Sequence, residues 1–133
     1  MKDFLYSLEL KVRDYECDLQ SVVNNAAYLN YLEHTRHEFL LSVGLDFTKL
    51  SEMNLSPMVY RADIVYKTSL VSGDIFISTI NVSRKGSLKI IFHQKIYRKK
   101  DNKLMVSANI TKVIVKDGKA FNPDFYFKAI NKE

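Results

Sequence analysis

"ECDLQSVVNNAAYLNYLEHTRHEFL", Glu16 to Leu40, is the stretch on which the fold turns. After Asp18 the chain passes through Asn24 and Asn25 into a segment free of Gly and Pro up to Gly44. That length predicts a helix of about five turns over 25–43. Asparagine suits a helix start because its side-chain oxygen accepts one of the N–H groups that has no partner inside the helix; glycine suits the stop at position 44. Tyr28, Leu32, Phe39 and Val43 fall near one face, with Leu29 and Leu40 beside them. The middle, Glu33 to Glu38, is an unbroken polar run. One side of the helix is therefore expected to meet solvent, a partner subunit or a polar site.

Asp18 stands just upstream of that helix. A short aspartate at such a place caps a helix or closes a turn, and Asn24 can do the capping itself. The chemical alternative is a carboxylate facing the first helical turn, where unpaired N–H groups and the positive end of the dipole favour developing negative charge. A carbonyl held there is polarised, and the carboxylate can activate water or attack directly. The residues alone leave both readings open.

Outward from this stretch the period changes from helical to two. Phe4, Tyr6, Leu8, Leu10 and Val12 alternate with polar residues and predict a half-buried strand. Four further strand-like runs cover 58–66, 74–84, 87–98 and 103–115, separated by Ser72-Gly73-Asp74, Lys85-Gly86-Ser87 and Lys100-Asp101-Asn102, with Asp117-Gly118 after the last. Short hairpins make the later strands antiparallel. In the fourth run the inward face is read as Leu104, Val106, Ala108 and Ile110, then Val113 and Val115, a shift that predicts a bulge or a change of exposure. One strand, one long helix and a four-strand meander is an α+β pattern in which the helix covers the apolar face of the sheet. The aromatic tail, with Phe121, Phe125, Tyr126 and Phe127, is expected to pack back as an irregular segment.

The 133 residues suit a single domain over 1–133, and 47% hydrophobic with 26% charged residues is the balance of a soluble globular protein. No apolar run approaches the roughly 18 residues that a membrane span needs, and the first twelve residues alternate rather than forming a signal-peptide core. Cys17 is the one cysteine and has no disulfide partner within the chain, in keeping with a reducing, cytoplasmic compartment. The net charge of +5 favours anionic partners without choosing among them. No G-x-S-x-G elbow or phosphate-cradling glycine loop is present, which excludes an α/β-hydrolase serine esterase and a P-loop enzyme. His34 and His37 lack a third ligand at supporting spacing, so no metal is expected. A nucleophilic Cys17 would need an activating base.

The run from Asp18 to Leu40, preceded by "KVRDYEC", resembles the signature of the 4-hydroxybenzoyl-CoA thioesterase family of hotdog-fold acyl-CoA thioesterases. Asp18, Val22, Val23, Asn24, Asn25, Ala26 and Tyr28 match its pattern, while Ser21 stands where the family usually has Gly. If the backbone at Ser21 requires a positive φ, serine adds strain that glycine avoids. The spacing of Glu33, Arg36 and Glu38 also resembles the family's helix, and Tyr66, Gly86 and Ser87 extend the likeness more weakly.

The resemblance implies a hotdog fold: a long central helix wrapped by a curved antiparallel sheet of about five strands, with a homodimer or homotetramer placing active sites between subunits. It implies a hydrolase of acyl-CoA or acyl carrier protein thioesters, with coenzyme A entering as part of the substrate and no cofactor. Asp18 would be the catalytic carboxylate and the backbone N–H of Asn25 the carbonyl-polarising donor. Asn25 where relatives often carry His removes a titratable group. Asn24, Tyr28, Arg61 and the turn residues Arg84, Lys85, Gly86 and Ser87 are the substrate-binding candidates. The turn offers basic groups for coenzyme A phosphates, although a solvated hairpin cluster has the same composition. Tyr28 equally reads as core packing and Arg61 as an exposed strand charge. The competing class is a binding module: an acyl-CoA sensor, or a basic nucleic-acid binder, the latter lacking a basic and aromatic stacking platform. No nucleic-acid or membrane partner is expected.

Overall fold

The alternating runs become strands, and the order in which they pair decides where the helix lies. The computed structural model describes residues 3–131. In chain order they form β1 (Tyr6–Lys11), a 3-10 turn (Asp14–Glu16), α1 (Asn25–Ser42), α2 (Phe47–Glu52), β2 (Ser56–Tyr66), β3 (Ile75–Lys85), β4 (Lys89–Arg98), β5 (Lys103–Lys116), β6 (Lys119–Phe121) and α3 (Asp124–Asn131). All strand pairs are antiparallel, in the order β1-β3-β4-β5-β2, with β6 on β5 beyond the end of β4.

Register sets one face inward. Ile80 of β3 lies opposite Gln94 of β4, which lies opposite Ala108 of β5. Two residues along each strand the same face carries Ser78, Ile96 and Val106 in one direction and Val82, Phe92 and Ile110 in the other. α1 lies on this face. The Thr35 and Ser78 hydroxyls share a 2.7 Å hydrogen bond, Gln94 Nε2 donates to the Leu32 carbonyl at 3.0 Å, and Phe39 packs between the rings of Tyr6 and Phe92. Leu32, Phe76, Ile80, Phe92 and Ile96 are fully buried. Each such side chain contributes roughly 1.5–3 kcal/mol by leaving water. A curled sheet around one helix is the hotdog arrangement that the resemblance implies.

α1 ends where the sequence places its end. Its first residue follows Asn24, whose Oδ1 accepts the Ala26 N–H at 2.9 Å, and Gly44 takes φ +79° just past the C-terminus. The turn Asp117-Gly118 has positive φ at both residues, which is the backbone a two-residue hairpin needs.

The polar run in α1 turns one side to solvent as expected, at Glu33 and His34, while Thr35 and Arg36 are buried. Hydrogen bonds to Ser78 and Gln94 on distant strands make that burial tolerable. β5 has no shift at 110–113, because Lys112 takes the inward place between Ile110 and Ile114. Bulges instead insert Met105 in β5 and Tyr60 in β2. The first turns Leu104 to the outer face beside Tyr97, away from Val106. The tail is a short strand and a helix rather than irregular, since Tyr126 and Ile130 are one helical turn apart and both bury. α2 has no counterpart in the sequence reading; its Asp46 cap and buried Leu50 are too brief a pattern to stand out.

Candidate active site

The approach to α1 is a tight hairpin. Cys17 bridges Val23, the Asp18 N–H donates to the Val22 carbonyl at 2.9 Å, and the Ser21 N–H donates to the Asp18 carbonyl at 3.0 Å. These bonds force Ser21 to φ +64°, the left-handed region that favours glycine. Serine at the family's usual glycine position therefore keeps the glycine backbone. The hairpin is fastened on two sides: the Asn24 N–H donates to the Glu16 carbonyl, and the Val23 N–H donates to the Leu70 carbonyl, both at 2.9 Å. The Leu70 N–H in turn donates to the Tyr28 hydroxyl at 2.8 Å. Leu70 thus ties the hairpin to the first turn of the helix behind it.

Within this frame Asp18 is half-buried and its Oδ1 accepts the Gln20 N–H at 2.9 Å, a bond inside its own turn. Among the described residues its Oδ2 takes part in no hydrogen bond. The Asn25 N–H likewise donates to no acceptor among the described residues, whereas the next two amides are taken by Asn24, Ala26 by its side chain and Ala27 by its carbonyl. Helix geometry makes Asn25 the first donor of an 18-residue helix, at the positive end of its dipole. A negatively charged oxygen placed on that amide meets a donor that requires no reorganisation.

A second carboxylate lies nearby and is held by its neighbours. Glu16 Oε1 accepts the Tyr31 hydroxyl at 2.7 Å and the Arg13 N–H at 2.8 Å, and Arg13 Nε lies 3.7 Å from its Oε2. Burial, and then the bond to Glu16, raise the Tyr31 phenol, so it stays a donor. Glu16 and Tyr31 line a cleft of about 400 Å³ with Arg13, Tyr15 and His34. A cleft of about 330 Å³ beside Asn24, Ala26 and Ala27 shares Tyr15, Glu16 and Asn30 with it. The pairing of Glu16 with Tyr31 had no sequence signal, since it depends on the 3-10 turn that swings residue 16 toward the helix.

The other candidates are dispersed. Asn24 spends its side-chain oxygen on the cap. Tyr28 is 2% exposed, packed against Tyr31 and Tyr66, so within one chain it serves as core and hydrogen-bond partner. Arg61, exposed on β2, is held by Asp63 through bonds of 2.8 and 3.2 Å. Arg84 donates to Asp124, Asn122 and the Ser87 carbonyl and lies over the Phe127 ring, which ties the β3–β4 turn to α3. Lys85, Gly86 and Ser87 are exposed at that turn, with Gly86 at φ +63°. Neither Arg61 nor this turn lines either cleft at the helix start. An apolar pocket of about 220 Å³ between α1 and α2, lined by His37, Leu40, Leu41 and Phe47, lies some 18 Å along the helix from Asn25. Among the described residues no three His, Cys, Asp or Glu side chains are grouped to hold a metal ion, and no helix is long and apolar enough to cross a membrane.

Comparison with known proteins gives this geometry a family. Residues 12–125 match the sequence model of the thioesterase-like superfamily. A chloroplastic acyl-acyl carrier protein thioesterase from Arabidopsis thaliana is 37% identical over 98 residues, covering 74% of this chain and 51% of that one. The long-chain acyl-CoA thioesterase FadM of Escherichia coli is 28% identical over 80% of each chain. The chain spans about half the length of the Arabidopsis relatives it matches. A crystal structure of a hypothetical protein from Aquifex aeolicus superimposes with a TM-score of 0.87 at 26% identity, covering 94% of this chain and 98% of that one. By its sequence and by the fold that positions Asp18 before α1, this chain belongs to the thioesterase-like superfamily.

Proposed function

We propose that the chain hydrolyses acyl thioesters, with Asp18 as the catalytic carboxylate and the Asn25 amide as the oxyanion donor. The supporting observation is the pair of unused groups on a fixed frame: Oδ2 of Asp18 and the N–H of Asn25, joined by a hairpin bonded at both ends. Glu16, the competing acid, has Oε1 held by Tyr31 and the Arg13 backbone and Oε2 facing the Arg13 guanidinium. In the reaction Asp18 takes a proton from water as the oxygen adds to the thioester carbon. The carbonyl oxygen becomes an oxyanion on the Asn25 amide, and collapse expels the thiolate, which takes up a proton. Asp18 as nucleophile, through a transient anhydride, uses the same geometry.

Relatives named for acyl carrier protein and for long-chain acyl-CoA substrates make both carriers compatible. A homodimer completes the site. β2 is an 11-residue edge strand exposing Val59, Tyr60 and Val65, each more than half exposed. Such an edge invites pairing, and a second β2 would extend the sheet across the two-fold axis. Lys85, beside a turn that Arg84 holds in shape, is the side chain offered to a carrier phosphate.

The test is thiol release from a series of acyl-CoA and acyl carrier protein substrates, with Asp18→Asn alongside. Asparagine keeps an oxygen for the Gln20 N–H, so the hairpin survives while turnover falls at least roughly a hundredfold. Near wild-type release by Asp18→Asn removes the residue from the mechanism. The intraturn bond of Asp18 favours a second reading, an acyl-CoA-sensing module; it predicts tight acyl-CoA retention with no thiol released by either form.

A further inference from the structure

Beneath the second half of α1 two cationic side chains turn inward, and neither meets an acid. Arg36 is 5% exposed, with Nη1 donating to Gln94 Oε1 at 2.9 Å and a buried Nε that finds no acceptor. Lys112, inward-facing on β5 and 6% exposed, lies with Nζ 5.6 Å from the centre of the Phe92 ring. Among the described residues it makes no ion pair or side-chain hydrogen bond. Tyr126 of α3 packs edge-on against Phe92, is fully buried, and its hydroxyl has no partner. Gln94 is engaged at both ends, its amide donating to the Leu32 carbonyl and its oxygen accepting from Arg36.

The groups around the cluster do not balance. α1 brings Glu33, Arg36 and His37, β5 brings Lys112, α3 brings only the Tyr126 hydroxyl, and the inward residues of β4, Ile90, Phe92 and Gln94, carry no charge. Glu33 is exposed and, among the described residues, lies within 4 Å of no cation. With His37 neutral, two positive charges face one distant negative charge. Holding unpaired charges away from most of their water costs free energy, and buried donors without acceptors add to that cost.

We propose that Arg36, Lys112 and Tyr126 form a binding site for one small oxyanion, a carboxylate or inorganic phosphate, distinct from the helix start where Asp18 lies. The anion takes the orphaned Arg36 Nε and the Tyr126 hydroxyl as donors and Lys112 as counter-charge. Desolvation, and then the field of Arg36, lower the Lys112 ammonium to about 8; a bound anion would hold it charged to higher pH. The proposal does not depend on thioester hydrolysis, because its readouts are binding and stability.

The experiment titrates the full chain, in a bulky zwitterionic buffer at pH 7 and fixed ionic strength, with acetate or with phosphate. The melting temperature and the ¹³Cε signal of Lys112 are followed together. Both should move saturably, at lower concentration for whichever anion fits. Lys112→Met, close in shape and without charge, should abolish the saturable response while melting at or above the anion-free wild type, because an unpaired buried charge is gone. Tyr126→Phe should weaken the response and leave it saturable. A response that stays linear, one that persists unchanged in Lys112→Met, or a Lys112→Met melting below the anion-free wild type overturns the proposal. So does a crystal structure grown in acetate or phosphate that shows only water between Arg36 and Tyr126.

Discussion

Ser21 is held at φ +64° by the hairpin that carries Asp18, and replacing it with glycine measures what that conformation costs. Four non-glycine residues among those described have positive φ; the other three are Asn54, Asn102 and Asp117, types whose short polar side chains tolerate this region. Serine has less excuse. The left-handed penalty for an ordinary L-residue is roughly 1–2 kcal/mol, and glycine forfeits about 0.4–1 kcal/mol through its freer unfolded chain. Ser21 is exposed and its side chain makes no hydrogen bond among the described residues, so nothing else is lost. Ser21→Gly should therefore stabilise the chain by about 0.5–1 kcal/mol. With an unfolding entropy of about 2.1 cal/mol/K per residue, a chain of this length gains about 2–4 °C in Tm. Scanning calorimetry reads the shift, with Ser21→Ala expected near wild type and Ser21→Val below it, since β-branching adds to the strain. If glycine and alanine melt together, the strain is not there and the hairpin owes its shape to something else.

Tyr28→Phe keeps the ring and removes the acceptor for the buried Leu70 N–H, so urea unfolding should show a loss of about 1–3 kcal/mol; an unchanged midpoint would mean that water reaches Leu70. Lys112 gives a pH signature: its folded value near 8 lies below the unfolded one near 10.4, so the unfolded chain binds the extra proton between them and stability rises with pH across that window. Relative to Lys112→Met, wild type in anion-free buffer should gain on the order of 2–3 kcal/mol from pH 8 to 10.4, and parallel curves would show that Lys112 is solvated. Arg98 lowers Asp101 to about 2, so the stability it adds is present above pH 4 and is lost as pH falls toward 2; Asp101→Asn should flatten that part of the acid limb. Val65→Lys, placed on the β2 edge, should shift the sedimentation equilibrium toward monomer and lower turnover with it, and an unaltered dimer would move the interface elsewhere.

What the sequence disclosed depended on how far apart the deciding partners lie. The Asn24 cap, the Gly44 stop and the alternating strands rest on neighbours within a few residues, and each appears in the structure within two or three positions of its expected place. The positive φ at Ser21 is foreshadowed by the glycine of the family pattern, and the hairpin bonds that hold the angle span only residues 17 to 23. Asp18 was legible as a residue and not as a geometry: its bond to Gln20 is one of several that an aspartate before a helix can make.

Buried polar residues are the least legible, because a polar side chain reads as a surface one until its distant surroundings are known. Thr35 is buried because Ser78, 43 residues away, meets its hydroxyl, and Arg36 because Gln94, 58 residues away, accepts its guanidinium. Lys112 broke the apparent alternation of β5 for the same reason, as a charged residue in an inward position between two isoleucines. Binary patterning assigns such residues to the surface, since polar side chains are costly to bury without partners. A fold that buries them anyway must satisfy them, and here Thr35 and Gln94 are satisfied while Arg36 Nε and the Tyr126 hydroxyl are not. The unsatisfied remainder is therefore more informative than the misread positions: in a core otherwise closed by hydrogen bonds, it is where the proposed anion would supply acceptors.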